Sequence, residues 1–368
     1  MTELVQQLAA DRFAGRRVGT PGGRAAAAFL ADRLRSLGAE VGSDEFPVQN
    51  VRELYGTPVF RADARELEHR REFAESLASA DLPEPRTGRL VAADAVEVDG
   101  RWIHAPMTDW ARACDRAAAE GALGVLKARG VDGEGWMPKT IAGPASRGVP
   151  VLDVRADLLH ELAGREVSVT ASVPLRTVST TGTNVHARFG DAPGILLTAH
   201  FDGVGDDPDR RLPAAADNAS GVAAVLEAAR VLREAGVEVA VSLVDAEEAG
   251  AWGSARHAPQ VPPGTQVINL DGAARLDGAA SVEAGGPAHG LLAVLDQAGK
   301  RTGVPLRAGA MASDNRRYAA AGLAAVGIGM GMPGYQTPAE TPDRVDPGAL
   351  VVAARLLIST VMLLRGEA

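Results

Sequence analysis

Cysteine is nearly missing from this 368-residue chain, which holds one, Cys114. That excludes an internal disulfide framework and any metal site built from several thiolates. Aromatic residues make up 4% of the chain, too few for a stacking platform for single-stranded nucleic acid. No block of lysines and arginines offsets the net charge of −9, so a phosphate-backbone partner is not expected. The N-terminus, MTELVQQLAA, has neither a basic start nor an apolar run, which argues against a secretory signal. The apolar stretch Leu350 to Leu364 is interrupted by Arg355 and reads as too short to cross a bilayer. The expectation is a cytoplasmic protein with neither nucleic acid nor membrane as partner. Histidine is scarce too: seven residues in all, so imidazole chemistry has a short list to draw on.

Apolar residues reach 46%, enough for a packed core. After Pro21-Gly22-Gly23, the residues Ala26, Phe29, Leu30, Leu34 and Leu37 recur at three- and four-residue spacing, one face of a helix that Gly38 stops. From 42 to 177 the character changes. This stretch holds Trp102, Trp110, Trp136 and Cys114, with short β-like runs on either side of a helix-like segment, Trp110 to Glu120. It reads as a separate small module. From 178 onward, strand and helix alternate. Apolar or β-branched runs at 195–198, 237–244, 267–270 and 324–328 are separated by helical patterns at 222–236 and 291–301, and a helix over 348–364 closes the chain. The alternation predicts an α/β fold: a mixed, largely parallel central sheet flanked by helices, with a small β-rich inserted domain.

In open α/β sheets, ligands bind beyond the carboxyl ends of the strands. Three expected strands end in polar residues: His200-Phe201-Asp202, Asp245-Ala246-Glu247-Glu248 and Asp271. Between the first two lies Ala216-Asp217-Asn218-Ala219-Ser220-Gly221, opening a helix that Asn218 or Ser220 could cap. Each residue alone reads as a turn former or a solvated charge. Together they gather one imidazole and several carboxylates at one sheet edge. Like charges packed this way are costly unless a cation compensates them, and nitrogen and oxygen donors suit zinc.

The order His-x-Asp, Asp-Asn-Ala-Ser-Gly, Glu-Glu, Asn-Leu-Asp resembles the M28 family of zinc aminopeptidases. Asp11 to Thr20 resembles the N-terminal segment of those enzymes, and Gly250-Ala251-Trp252-Gly253-Ser254 follows the Glu-Glu pair as in the family. The resemblance implies a zinc-exopeptidase-like domain over 1–41 and 178–368, with a protease-associated (PA)-like domain inserted at 42–177. It implies that His200, Asp217 and Asp271 bind one zinc. Asp217 would bridge to a second zinc, also bound by Glu248. Asp202 would orient His200, and Glu247 would be the general base toward a metal-activated water. The implied substrate is a peptide or an amino-acid amide.

One position departs from the pattern. Where the family carries its last histidine ligand, this chain has Gln336, followed by Glu340 where Asp is usual. A related Ser-Asp-His stretch reads Ser313-Asp314-Asn315. An amide oxygen is neutral and suits zinc less well than imidazole. Three outcomes stay open: a hydrolase with one zinc, a two-metal enzyme with Gln336 as an unusual ligand, or a catalytically impaired or non-catalytic binding protein on the same scaffold. His257 and His289, the only other histidines after His200, read as packed or solvated.

Overall fold

The period of two along the strand Ile195–His200 sends Ile195, Leu197 and Ala199 into one apolar cluster and Leu196 into another on the opposite face. A strand buried on both faces belongs at the centre of a sheet covered by helices on both sides. The computed structural model describes residues 1–191 and 193–366, which fall into two compact units.

The first unit comprises Met1–Val48, Thr180–Asp206 and the chain from Arg211 on. Its elements are α1 (Thr2–Leu8), α2 (Pro21–Ser36), β1 (Glu40–Leu54), β2 (Leu175–Phe189), β3 (Ile195–His200), α3 (Gly221–Glu234), β4 (Val239–Val244), α4 (Trp252–His257), β5 (Gln266–Leu270), β6 (Ala280–Gly285), α5 (His289–Thr302), β7 (Leu306–Ala308), α6 (Asn315–Ala320), β8 (Ala324–Gly329) and α7 (Pro347–Arg365). The sheet order is β1-β2-β4-β3-β5-β8-β6-β7. The four central strands β4, β3, β5 and β8 run parallel, while β2 and β6 join them antiparallel. Parallel central strands place their carboxyl ends on one edge, where the polar residues follow.

The helix α2 begins as its sequence demands. Thr20 Oγ1 accepts from Gly23 N at 3.1 Å, Pro21 occupies the first turn, and Gly38 takes φ +80° just past the end. The closing helix α7 differs from the sequence expectation. It spans 19 residues with a mean hydropathy of 2.0, long and apolar enough to cross a membrane by length and composition. Arg355 interrupts the apolar run but not the helix. Leu350, Leu356, Leu357 and Val361 are buried in the unit's core, where α7 packs on α3 and α5.

The second unit comprises Gln49–Ser179 together with Asp207–Arg210. It therefore starts at 49 rather than at 42, and it takes in four residues from the connection between His200 and Asp217. Its eight-stranded sheet is built on buried Phe60, Phe73, Trp102, Leu126 and Leu152, with helices Trp110–Glu120 and Ala156–Ala163.

Candidate active site

His200 is the last residue of β3, and its buried ring points at two carboxylates. Nε2 lies 3.0 Å from Asp217 Oδ1 and 3.2 Å from Asp271 Oδ1. Asp271 directly follows β5. Asp217 comes from a single π turn, Ala215–Ser220, in front of α3, and its own backbone is not helical there. Asn218 staples that turn to the end of β5. Its Oδ1 accepts from Gly221 N at 3.0 Å and from Gly272 N at 2.9 Å, and its Nδ2 donates to Leu270 O at 2.9 Å. Asn218, not Ser220, thus caps α3.

Asp202 holds the other side of the imidazole. Its carboxylate is fully buried, 3.4 Å from His200 Nδ1, and accepts from the backbone N–H groups of Glu247 at 3.1 Å and Glu248 at 3.2 Å. Asp202 therefore holds the ring through its backbone carbonyl, 3.2 Å from Nδ1, with its carboxylate close by, and the same carboxylate fixes the Glu-Glu turn, which enters through Ala246 at φ +61°.

The cleft concentrates negative charge around one imidazole. Burial disfavours protonated His200, yet Asp271 and the hydrogen bonds to Asp202, Asp217 and Asp271 outweigh it and hold the ring well above its ordinary pKa. Burial pushes Glu247 well up, helped by Asp271, Asp314 and Asp217. It does the same to Glu248, helped by Asp217 and Glu247. Metal geometry fits the first three ligands. Tetrahedral donors at zinc bond lengths stand roughly 3.3 Å apart, close to the 3.0 and 3.2 Å found here. An imidazole nitrogen with carboxylate oxygens is a zinc donor set.

The neighbouring position is arranged differently. Gln336 Nε2 donates to Glu248 Oε2 at 2.6 Å and reaches Asp217 Oδ2 at 3.5 Å. The backbone of Gln336, at φ +53°, is fixed by Glu340, whose Oε2 accepts its N–H at 2.7 Å. Glu340 Oε1 accepts from Ala216 N at 2.9 Å and Asp217 N at 2.6 Å, so one buried carboxyl group ties the Gln336 loop to the Asp217 loop. Glu248 Oε1 and Gln336 Oε1 are buried without a hydrogen-bond partner.

The sequence model of peptidase family M28 matches residues 184–361, the stretch that carries all of these site residues. Over that stretch, just under half of the chain, the sequence is similar to peptidase family M28. The chain is 29% identical over 246 residues to the probable lipoprotein aminopeptidase LpqL of Mycobacterium tuberculosis, a match covering 61% of this chain and 46% of that protein. The chain thus spans just under half the length of that curated relative. Two solved structures share the fold. The zinc aminopeptidase BSAP from Bacillus subtilis superimposes with a TM-score of 0.74 at 20% identity, covering 100% of this chain and 95% of that one. An aminopeptidase from Aneurinibacillus sp. strain AM-1 gives 0.72 at 21% identity, covering 98% and 92%.

Within the matched stretch, His200, Asp217 and Asp271 lie together, with Asp202 behind them. Glu247 lines the same cleft as Asp217 and Asp271, while Glu248 and Gln336 face each other beside it. Neither spare histidine joins the cluster among the described residues. His257 stacks on His186 at 4.1 Å, and His289 is exposed at the start of α5.

Sequence reasoning missed the role of Arg16. Its buried guanidinium donates to the carbonyls of Leu8 (2.8 Å), Phe201 (2.7 Å), Pro213 (3.0 Å) and Ala214 (2.6 Å). It clamps both ends of the connection from His200 to Asp217. Only its place in the Asp11 to Thr20 motif hinted at this. A second histidine–carboxylate group, His69 with Asp207 and Asp209, lies in the other unit. Arg70 binds both oxygens of that Asp207 (2.8 and 3.1 Å) and Lys139 lies 3.1 Å away, so its charge is already matched.

Proposed function

We propose that this chain is a zinc-dependent hydrolase that removes N-terminal residues from peptides or cleaves amino-acid amides. The observation that carries this reading is the buried triangle of His200, Asp217 and Asp271, backed by Asp202. Zinc in such a site polarises a carbonyl and acidifies a coordinated water. The chain's own residues do the rest. Asp202 sets the tautomer of His200 and raises its basicity. Glu247, in the same cleft, takes the proton from the attacking water and hands it to the departing amine.

One zinc per chain is assigned. The amide of Gln336 takes the second metal's place, donating to Glu248 and approaching Asp217 as a neutral substitute for a cation. The module expected at 42–177 is read as PA-like, and no residue in it is given a chemical role. The same amide motivates a second reading, a non-catalytic binding protein on this scaffold.

Elemental analysis of the purified protein, beside turnover of aminoacyl anilides, separates the two. The hydrolase reading expects one tightly bound zinc, loss of activity with chelator, and a roughly 10²–10⁴-fold drop in Glu247→Gln with unchanged melting. Full activity without metal would overturn it. No turnover with added zinc, manganese or cobalt would leave the binding protein.

A further inference from the structure

A row of residues crosses the sheet beside the metal triangle. The parallel register pairs Leu270 of β5 with Ile328 of β8, which brings Asp271 beside Gly329. Gly329 then pairs with Ser281 of β6, and Ser281 with Arg307 of β7. Directly opposed residues project to the same face, so Asp271, Gly329, Ser281 and Arg307 line one gutter. At a strand spacing of about 4.8 Å the gutter spans roughly 14 Å from Asp271 to Arg307. Its floor is low because Gly329 has no side chain and Ser281 a short one. Met311 lies over Gly329, whose added Cβ would come within 2.6 Å of Met311 Cε. A cavity of about 450 Å³ follows this gutter, and Met330, Met332 and Tyr335 also line it.

The charges along the cavity are separated by sign. Asp217, Glu247 and Asp271 occupy one end. Asp277 is matched by Arg275 at 2.8 Å. Arg307 makes no ion pair among the described residues, and it is the one basic side chain lining the cavity. An anionic substrate group is repelled from the carboxylate end and drawn to this guanidinium, whose planar fork suits a carboxylate.

We propose that Arg307 is a specificity-determining residue that selects substrates carrying a carboxylate on the part that extends along the gutter, away from the metal triangle. The inference rests on the hydrolase reading of the neighbouring site. Two sources of carboxylate fit: an acidic N-terminal side chain, or the C-terminus of a short peptide.

The test uses the zinc-loaded full chain. Glutamyl against glutaminyl anilide compares carboxylate with amide at equal size, and Leu-Gly against Leu-Gly-amide does the same for the C-terminus. Arg307 is exposed at the far end of the cavity, and a charge-assisted contact there predicts a preference in kcat/KM of about three- to fivefold in one pair. Arg307→Ala should abolish the preference and Arg307→Lys should keep part of it. Whichever pair shows the effect identifies the source. No preference in either pair, or one that survives Arg307→Ala, overturns the proposal. Calorimetric binding of free glutamate against glutamine, and of the two Leu-Gly compounds to Glu247→Gln, reads the same contact without turnover. If every substrate is inert while Arg307-dependent binding persists, the hydrolase reading fails and the selectivity stands.

Discussion

Gln336 Nε2 donates to Glu248 Oε2 at 2.6 Å, a hydrogen bond that the proposed reading puts in place of a second cation. An amide donor offsets only part of the repulsion between Glu248 and Asp217, but it does so without a metal. Replacing it with imidazole restores a nitrogen ligand. Gln336→His should therefore raise bound zinc from one to two per chain, measured by elemental analysis after extensive dialysis. A wild-type protein that already holds two metals would sink this account, as would a variant that stays at one.

A gathering of one imidazole and several carboxylates at one sheet edge was legible from sequence because parallel strands deliver their ends there, as His200 and Asp271 do; the grouping of Asp217 with them rested on the resemblance, since Asp217 sits in a turn before α3. The longer helices of the first unit, α2, α3, α5 and α7, were equally readable from their apolar patterns. The gutter was not. β6, Ala280–Gly285, is rich in alanine and glycine, and β7 is three residues long, so neither has a pattern to detect. Arg307 gains meaning only once strand register sets it in line with Asp271. Glu340 was read as a departure at its position, yet its two oxygens organise both neighbouring loops, a role that depends on long-range contacts alone.

Arg16 carries a second prediction. Its guanidinium is fully buried and meets four carbonyl oxygens. Losing it leaves several buried acceptors unsatisfied, each at about 1–3 kcal/mol. Arg16→Met should destabilise the first unit by at least about 3 kcal/mol and weaken zinc binding, because the clamped segments lead to His200 and Asp217. Arg16→Lys, one compact charge instead of a fork, should lose nearly as much. Denaturant unfolding and competition with a chelating dye measure the two effects. An Arg16→Met protein as stable as wild type would refute the clamp.

In the second unit the prediction concerns acid. Burial alone would raise the Asp207 carboxyl, but Arg70 and Lys139 outweigh it and hold it well below its ordinary range. A depressed folded-state pKa stabilises the fold above the unfolded value near 4, and that stability is lost as pH falls toward the folded value. Asp207→Asn removes the charge and leaves Arg70 and Lys139 buried against an amide. It should cost roughly 3–5 kcal/mol at neutral pH and flatten the acid dependence of this unit's melting below about pH 4. A scan showing the wild-type slope in the variant would refute this.

The pair His186 and His257 predicts a second acid dependence, at higher pH and in the first unit. The rings stack at 4.1 Å, and His257 Nδ1 lies 3.0 Å from Tyr318 Oη and 3.3 Å from Ser242 Oγ. Burial and the neighbouring His186 push His257 down to about 3, against a weaker pull from Asp44. The unfolded chain takes up this proton near pH 6.5 and the folded chain does not. Stability is therefore fully present above about 6.5 and falls as pH drops toward 3, by at most roughly 1.4 kcal/mol per pH unit. His257→Gln keeps a polar side chain at the position and cannot titrate. Denaturant unfolding at pH 7, 6 and 5 should show a shallower decline in the variant than in the wild type. Equal slopes would mean that His257 accepts its proton in the folded protein, which its packing against His186 and Tyr318 opposes.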